Sequence, residues 1–242
     1  MGVISVTIDH GKVSLECVPL FADLDRQALV SVEAECAWKQ FETGQEILAQ
    51  QDESDDVYFV VAGKAKVLIY AASGKVVGFR DLMPGDMFGE YAAIDRGPRS
   101  ASIEAQTVCR VAVMSSTYFR TLLLEQPAVC LAFVHHLTEQ LRTLTQRVFE
   151  FSTLAVNNRI QAELLRLARQ SLPRGEFEAT TAEISPIPTH GEIAERISSH
   201  REAVTRQVSL LTKNGLIERR GRVLIVKDLR RLERMVRDAT GD

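Results

Sequence analysis

Between Val134 and Ala155 the apolar residues fall into a strict pattern that any fold of this chain must accommodate. Val134, Leu137, Leu141, Leu144, Val148, Phe151 and Ala155 follow one another at alternating steps of 3 and 4 residues. That is a heptad repeat held for about three heptads. A helix carrying it has one narrow apolar face that must be covered. Glu139, Gln140, Arg142, Gln146 and Arg147 flank the seam and keep the remaining faces wet. A long, strict seam with polar flanks favours a helix pairing in parallel with its own copy. Pro127 suits the first turn of such a helix, so residues 127–156 are expected to form a dimerisation helix.

The periodicity differs on either side. Residues 19–37 show helical spacing at Leu20, Leu24, Leu29 and Val32, and from about Phe41 the period becomes two. The runs EILAQ, DVYFVVAG, KAKVLIYA, KVVGFRDL, SASIEA and CRVAVM follow, ending at Met114. Turn residues separate them at Gly44, Gly63, Ser73-Gly74, Pro84-Gly85 and Gly97-Pro98. Many short strands at near-regular spacing imply a sandwich or barrel rather than a parallel sheet with crossover helices. Beyond Asn157-Asn158, residues 158–170 read as an amphipathic helix, and 171–188 as a Pro-, Ser- and Thr-rich loop with room for short strands. Two short helices, a hairpin and a terminal helix near 228–239 complete the chain.

Charge divides it in the same place. Residues 1–155 carry 13 Lys+Arg against 20 Asp+Glu, a balance of −7, and residues 156–242 carry 16 against 12, a balance of +4. A basic C-terminal part suits a polyanion. With 45% apolar and 25% charged residues the composition is that of a globular protein, which excludes collagen-like, disulfide-scaffold and largely disordered classes. No apolar run approaches the roughly 18–20 residues of a membrane span, and residues 1–12 lack the pattern of a secretory signal. Cys17, Cys36, Cys109 and Cys130 are dispersed, with no C-x-x-C pair. They read as reduced, buried cysteines of a cytoplasmic protein. His135 and His136 are adjacent and diverge on a helix, while His10, His190 and His200 are scattered. All five read as surface residues, and no metal site is expected.

Residues 84–105 read PGDMFGEYAAIDRGPRSASIEA. Gly89 leaves its own N–H open to approach, and Glu90 offers a carboxylate that accepts from a hydroxyl. A short helical turn, YAAI, leads to Arg99, whose guanidinium grips an anionic oxygen with two parallel N–H bonds. Backbone N–H groups in a short helix or nest favour the same anion. One carboxylate for a hydroxyl beside one guanidinium for a monoanionic phosphate is what a cyclic nucleotide requires.

Phe88-Gly89-Glu90, a short helix and then Arg99-Ser100-Ala101 resemble the phosphate-binding cassette of cyclic-nucleotide-binding domains, over about Pro19 to Glu125. The resemblance implies Glu90 on the ribose 2′-hydroxyl, Arg99 on the phosphate, and Gly89 and Ser100 as further donors. Bacterial relatives often place two adjacent hydroxyl residues of the dimer helix on adenine. Here those places hold Leu144, a seam residue that cannot donate, and Thr145. Thr145 alone is left for the base; the resemblance still makes cyclic AMP the first effector, with cyclic GMP or a broad preference as alternatives. Phe79 and Leu82 are expected to line the base pocket.

Residues 189–217 read THGEIAERISSHREAVTRQVSLLTKNGLI. Thr189 and Glu192 have capping-box spacing. Ile193, Ala194 and Ile197 give the first helix an apolar face, a break follows at Ser198-Ser199, and Val204, Val208 and Leu211 bury the second. Arg201, Glu202, Thr205 and Arg206 lie on its other face. Arg reads guanine O6/N7 and Glu accepts from cytosine N4 in the major groove. Arg220 and Arg222 sit at the tip of the hairpin, where they would meet phosphates. Together the motifs T-x-x-E-I-A, R-E-x-V-x-R and L-x-x-x-G-L-I resemble the winged helix-turn-helix of the CRP/FNR family of bacterial transcription regulators, in its cyclic-nucleotide-binding, cAMP receptor protein-like branch. Ser198 stands where relatives often have Gly, which strains the turn. His200 stands where relatives often have Ser or Thr, so capping shifts to Ser199, with Glu202 as its partner three residues on.

The expected architecture is α+β. An N-terminal β-roll of jelly-roll type occupies residues 1–126, the dimerisation helix 127–156, and a winged helix-turn-helix 157–242. The resemblance implies a cytoplasmic homodimer that binds a near-palindromic operator with TGTGA-type half-sites and contacts RNA polymerase. Three alternatives stand beside it: a ligand-independent regulator, one that senses haem or cyclic GMP, and a regulatory subunit of an enzyme. No nucleophile–base pair or metal set converges in either part, so an enzyme is not expected. The iron–sulfur branch of the family uses clustered N-terminal cysteines, which this chain lacks.

Overall fold

The computed structural model describes residues 14–71, 76–172 and 178–240. The turn at Ser73-Gly74, His10, the N-terminal segment and part of the 171–188 loop lie outside the described residues. The chain divides into two compact units, Met1–Gln140 and Leu141–Asp242.

In the first unit, two 3-10 turns, Leu15–Cys17 and Pro19–Phe21, lead into helix α1 (Arg26–Ala34). Asp25 caps it by accepting from the Ala28 amide at 2.8 Å. The helical reading of 19–37 overshoots, because strand β1 already covers Cys36–Phe41. Cys36 and Trp38, two apart, pack on the core, a strand periodicity too short to stand out. The strands that follow are β2 (Glu46–Leu48), β3 (Val57–Ala62), β4 (Ala65–Tyr70), β5 (Val76–Leu82) and β6 (Met87–Phe88). Helix α2 (Glu90–Asp95) separates them from β7 (Ser102–Ala105) and β8 (Cys109–Met114).

These strands form two four-stranded antiparallel sheets, β1-β8-β3-β6 and β2-β7-β4-β5, a double-sheet arrangement of jelly-roll type. The apolar run of β3 is explained by its place between two cores. Val57 and Phe59 face one cluster, with Phe21, Met114 and Phe119. Tyr58 and Val60 face the other, with Phe88, Ile103 and Val111. After β3 the chain turns through Gly63 at φ 80°, where a Cβ would sit 2.1 Å from the Val108 carbonyl oxygen. Only glycine fits there.

Helix α3 (Ser116–Glu125) is capped by Ser115 and has no counterpart in the sequence reading. Its buried Phe119 and Leu122 make too short a pattern to register. Helix α4 begins at Pro127, as expected, and runs to Thr153. Val129 and Phe133 bury against the sheet, with Phe133 edge-on to Phe119 at 5.4 Å. The seam stops short of its expected end: Ala155 is extended and forms the N-cap of the next helix. Val134, Leu141 and Val148, seven residues apart, are 51%, 64% and 65% exposed.

In the second unit, α5 (Val156–Gln170), β9 (Ala182–Ile184), α6 (His190–Arg196), α7 (Arg201–Lys213), β10 (Ile217–Arg220), β11 (Val223–Val226) and α8 (Leu229–Thr240) surround one core. Ile160, Leu164, Ile193, Val204, Leu211, Leu216 and Leu232 fill it. The three strands pair in the order β10-β11-β9. Thr189 and Glu192 form the reciprocal capping box that their spacing predicts.

The cysteines are all free thiols but not uniformly buried: Cys109 is buried, Cys36 and Cys130 are half-buried, and Cys17 is exposed. Burial pushes the Cys36 thiol up to about 12 and the Cys109 thiol to about 11, so neither is a ready nucleophile. Among the described residues, no helix is long and apolar enough to cross a membrane.

The turn between α6 and α7 carries the strain expected of it, with Ser198 at φ 50°. An L-residue pays about 1–2 kcal/mol there, less the roughly 0.5–1 kcal/mol of extra chain entropy that glycine loses on folding. Ser198→Gly is therefore expected to raise stability by about 0.5–1 kcal/mol in urea unfolding. A lowered midpoint would show that the serine relieves the strain by some other contact.

Candidate functional site

Strand β6 passes into α2 through Gly89, at φ 83°. A Cβ at this position would lie 2.6 Å from Arg99 Nη1 and 2.8 Å from the Asp56 carbonyl oxygen. Backbone handedness and close approach of the guanidinium thus demand glycine, a stricter requirement than an open N–H.

Arg99 is 2% exposed. Its Nη1 donates to the Gly89 carbonyl at 2.8 Å, its Nη2 to the Asp56 carbonyl at 2.8 Å, and its Nε to Ser54 Oγ at 3.1 Å. The Tyr58 ring lies 5.8 Å from its Cζ. The Arg99 amide donates to the Asp52 carbonyl, and its own carbonyl accepts from the Gln51 amide, both at 2.9 Å. Residues 51–56 therefore clasp the arginine through backbone and side chain together. Sequence reasoning missed this segment, which reads only as an acidic loop before a strand. The result is a cation in dry surroundings, where an anion is bound more strongly than in water.

Glu90 opens α2 and is buried. Its Oε1 accepts from Gln140 Nε2 at 3.2 Å and lies 4.0 Å from His136 Nε2. Gln140 also accepts from the Tyr91 hydroxyl at 2.9 Å and donates to His136 Nε2 at 2.5 Å. Burial, with the Glu90 carboxylate next in weight, raises the Tyr91 phenol above its ordinary value and keeps it a donor. The cassette is thereby tied to α4. Gln140, expected only as a polar flank, and His136, expected as a surface histidine, both belong to this cluster. They lie one helical turn apart on α4, which is the only signal that could have found them.

The remaining cassette residues are less confined. Ser100 is exposed. Thr145 is exposed and donates to the Leu141 carbonyl at 2.9 Å within its own helix. Phe79 is half-buried on β5, but Leu82 is wholly buried in the core and cannot line an open base pocket. Its alternation along β5 turns it inward.

Helix α7 exposes Arg201, Glu202, Thr205 and Arg206, and buries Val204, Gln207 and Leu211. The expected Ser199 cap is absent: His200 is the N-cap and makes no side-chain capping bond. Glu202 is therefore not the partner of a cap and stands exposed beside the two arginines. The Thr205 hydroxyl donates to the Arg201 carbonyl at 3.0 Å, so His190 Nδ1, 2.8 Å from Thr205 Oγ1, is the donor to it. Burial, then Arg201 and Arg219, lower the His190 pKa and favour the neutral ring. On the hairpin, Arg220 Nε donates to Glu218 Oε1 at 2.7 Å, and Lys227 lies 2.5 Å from Glu218 Oε2. These two bonds hold the Glu218 carboxyl at about 2. Arg220 is exposed but already paired, and Arg222 is exposed at the tip.

Two family models match this chain. The cyclic nucleotide-binding domain covers residues 38–126 and the Crp-like helix-turn-helix domain covers residues 158–235. A CRP-like cAMP-activated global transcriptional regulator of Mycobacterium tuberculosis is 25% identical over 218 residues, 90% of this chain and 96% of that protein. The cAMP-activated global transcriptional regulator CRP of Salmonella typhimurium is 28% identical over 192 residues, 79% of this chain and 90% of that one. Among solved structures, a CooA mutant from Carboxydothermus hydrogenoformans superposes with a TM-score of 0.73 at 20% identity, covering 93% of this chain and 98% of that one. It shares the fold. The class is thus a cyclic-nucleotide-binding domain joined to a DNA-binding helix-turn-helix. The chain belongs to the CRP/FNR family of transcription regulators.

Gly89→Ala is expected to cost about 2–4 kcal/mol, from the left-handed backbone and the overpacked guanidinium together. Urea unfolding followed by Trp38, the sole tryptophan, reads this directly. Wild-type stability in that variant would show that Arg99 is not held against the Gly89 backbone.

Proposed function

We propose that this chain is a cytoplasmic, homodimeric regulator whose binding to DNA is switched by cyclic AMP. The observation that carries the reading is the cassette: Glu90 and Arg99 are buried on either side of one left-handed glycine. The family relatives named above are cAMP-activated, which supports cyclic AMP over cyclic GMP as the effector.

In this reading the cyclic phosphate takes over donors of Arg99 and adds the N–H groups of Gly89 and Ser100. The ribose 2′-hydroxyl donates to Glu90 and displaces Gln140. Thr145 meets the base. Because Gln140 belongs to α4, filling the cassette changes what holds that helix, and ligand affinity is linked to helix position. The exposed seam of Val134, Leu141 and Val148 supports pairing with a second copy, since a row of apolar residues left in water favours association. Two copies would place two α7 helices in successive major grooves, with half-sites about one turn apart. Arg201 and Arg206 would read guanine and Glu202 would accept from cytosine, while Arg220 and Arg222 meet phosphates. Contact with RNA polymerase follows the family resemblance.

One observation favours a second reading, a regulator that binds DNA without ligand. Arg99 already donates three of its five N–H groups to protein oxygens, so the cassette is held together before any phosphate arrives.

The test is binding to a near-palindromic TGTGA-type operator, and to its single-base variants, with and without each cyclic nucleotide and at several salt concentrations. Two chains per operator and at least tenfold tighter binding with cyclic AMP are expected. Arg206→Ala should cost about 1–3 kcal/mol and relax preference at one base pair per half-site. Arg222→Ala should weaken all sequences alike and lower the salt slope by about one unit per site. Operator binding that ignores both nucleotides would select the ligand-independent reading. Uniform weakening by Arg206→Ala would reduce that residue to a phosphate contact.

A further inference from the structure

The Glu90 carboxylate is met by a relay on α4 that ends in an imidazole. Gln140 Nε2 donates to Glu90 Oε1 at 3.2 Å and also meets His136 Nε2 at 2.5 Å, while Gln140 Oε1 accepts from the Tyr91 hydroxyl at 2.9 Å. Turning the amide over would set its oxygen against the carboxylate, so the nitrogen must face that side. An amide nitrogen carries two donors and no acceptor. One N–H goes to Glu90 and the other to His136, which therefore offers a lone pair at Nε2. The ring is neutral, with its proton on Nδ1.

A proton on His136 Nε2 would set two donors against each other across 2.5 Å. The contact with Gln140 would open, and the imidazolium would turn to Glu90 Oε1, already within 4.0 Å. Glu90 is buried and His136 half-buried, so salt and water screen that pair little. The other charged groups nearby are engaged elsewhere or lie to one side. Burial and Glu90 raise the Tyr91 phenol and Arg80 of β5 opposes them, but Arg80 Nη2 donates to the Met87 carbonyl at 3.2 Å. Arg120 of α3 is held on the Ala93 carbonyl at 2.7 Å, further along α2. On α4 itself, His135 is the exposed neighbour and Glu139 follows three residues later. Among the described residues, Glu90 is the carboxylate that His136 meets.

We infer, resting on the reading of Glu90 as acceptor for the ribose 2′-hydroxyl, that His136 is a positioning residue of the nucleotide site and that its protonation opposes nucleotide binding. With the ring neutral, the hydroxyl competes with one amide N–H, and the displaced Gln140 stays tethered to His136 and Tyr91. With the ring protonated, the hydroxyl competes with a charge-assisted bond, roughly twice as strong as a neutral one. Gln140 has then also lost one of its anchors. By linkage, a bound nucleotide lowers the proton affinity of His136 by the same factor. An imidazole is the side chain that changes charge between about pH 5 and 8. Affinity is therefore full above that range and falls as pH drops through it.

The experiment measures cyclic AMP binding to the full chain by calorimetry at about pH 8 and about pH 5.5. Neither the adenine nor the phosphodiester of cyclic AMP titrates between them. Binding at least about threefold weaker at the lower pH is expected. His136→Gln offers Gln140 an oxygen but takes up no proton, and should bring the ratio to about one. His135→Gln, at the neighbouring position, should leave the ratio as it is. In the ligand-free chain, the Gln140 side-chain amide should shift in nitrogen-15 NMR with the same pH midpoint as the His136 ring. Equal affinity at the two pH values overturns this inference alone. So does a pH dependence that survives in His136→Gln or disappears in His135→Gln, or a Gln140 amide that does not follow the ring. Binding at neither pH overturns the effector reading and this inference with it.

Discussion

The first unit is organised around one buried cation. Burying the Arg99 guanidinium would be costly unless oxygens were brought to it. They come from Gly89 on one side and from Ser54 and Asp56 on the other, while Gln51 and Asp52 bind its backbone. This single residue therefore holds the loop before β3 against the turn after β6. That turn starts α2, so the position of Glu90 depends on it. Glu90 in turn meets Gln140 on α4. A chain of hydrogen bonds leads from the guanidinium to the long helix, and a ligand that competes for either end of it changes both.

How legible this was depended on how local the signal is. Phe88-Gly89-Glu90 and Arg99-Ser100-Ala101 are short, contiguous motifs, as are Thr189 with Glu192, and all could be read directly. The seam of α4 was readable because a heptad repeats. Its end was not, since Ala155 continues the spacing while adopting an extended backbone. The clasp of residues 51–56 was hidden because it works through backbone carbonyls, which carry no side-chain signature. Leu82 was misplaced because a strand residue faces either side according to register, and the register of β5 depends on pairing with β4.

At the cassette, Arg99 gives three of its five N–H donors to protein oxygens, so the guanidinium is held in place before any ligand arrives. That arrangement suits a switch, because a phosphate drawing on the same guanidinium alters the contacts around it. The exposed row of Val134, Leu141 and Val148 adds a demand for another apolar surface.

The most direct measurement is nitrogen-15 NMR of the Arg99 Nε–H and the Gln140 side-chain amide during titration with cyclic AMP. Both groups make defined hydrogen bonds, to Ser54 and to Glu90. If phosphate takes the guanidinium and the ribose hydroxyl displaces Gln140, both resonances move together and saturate at the same nucleotide concentration. Resonances that stay in place at saturating cyclic AMP would contradict the assignment of this cassette as the nucleotide site and of Gln140 as its link to the long helix.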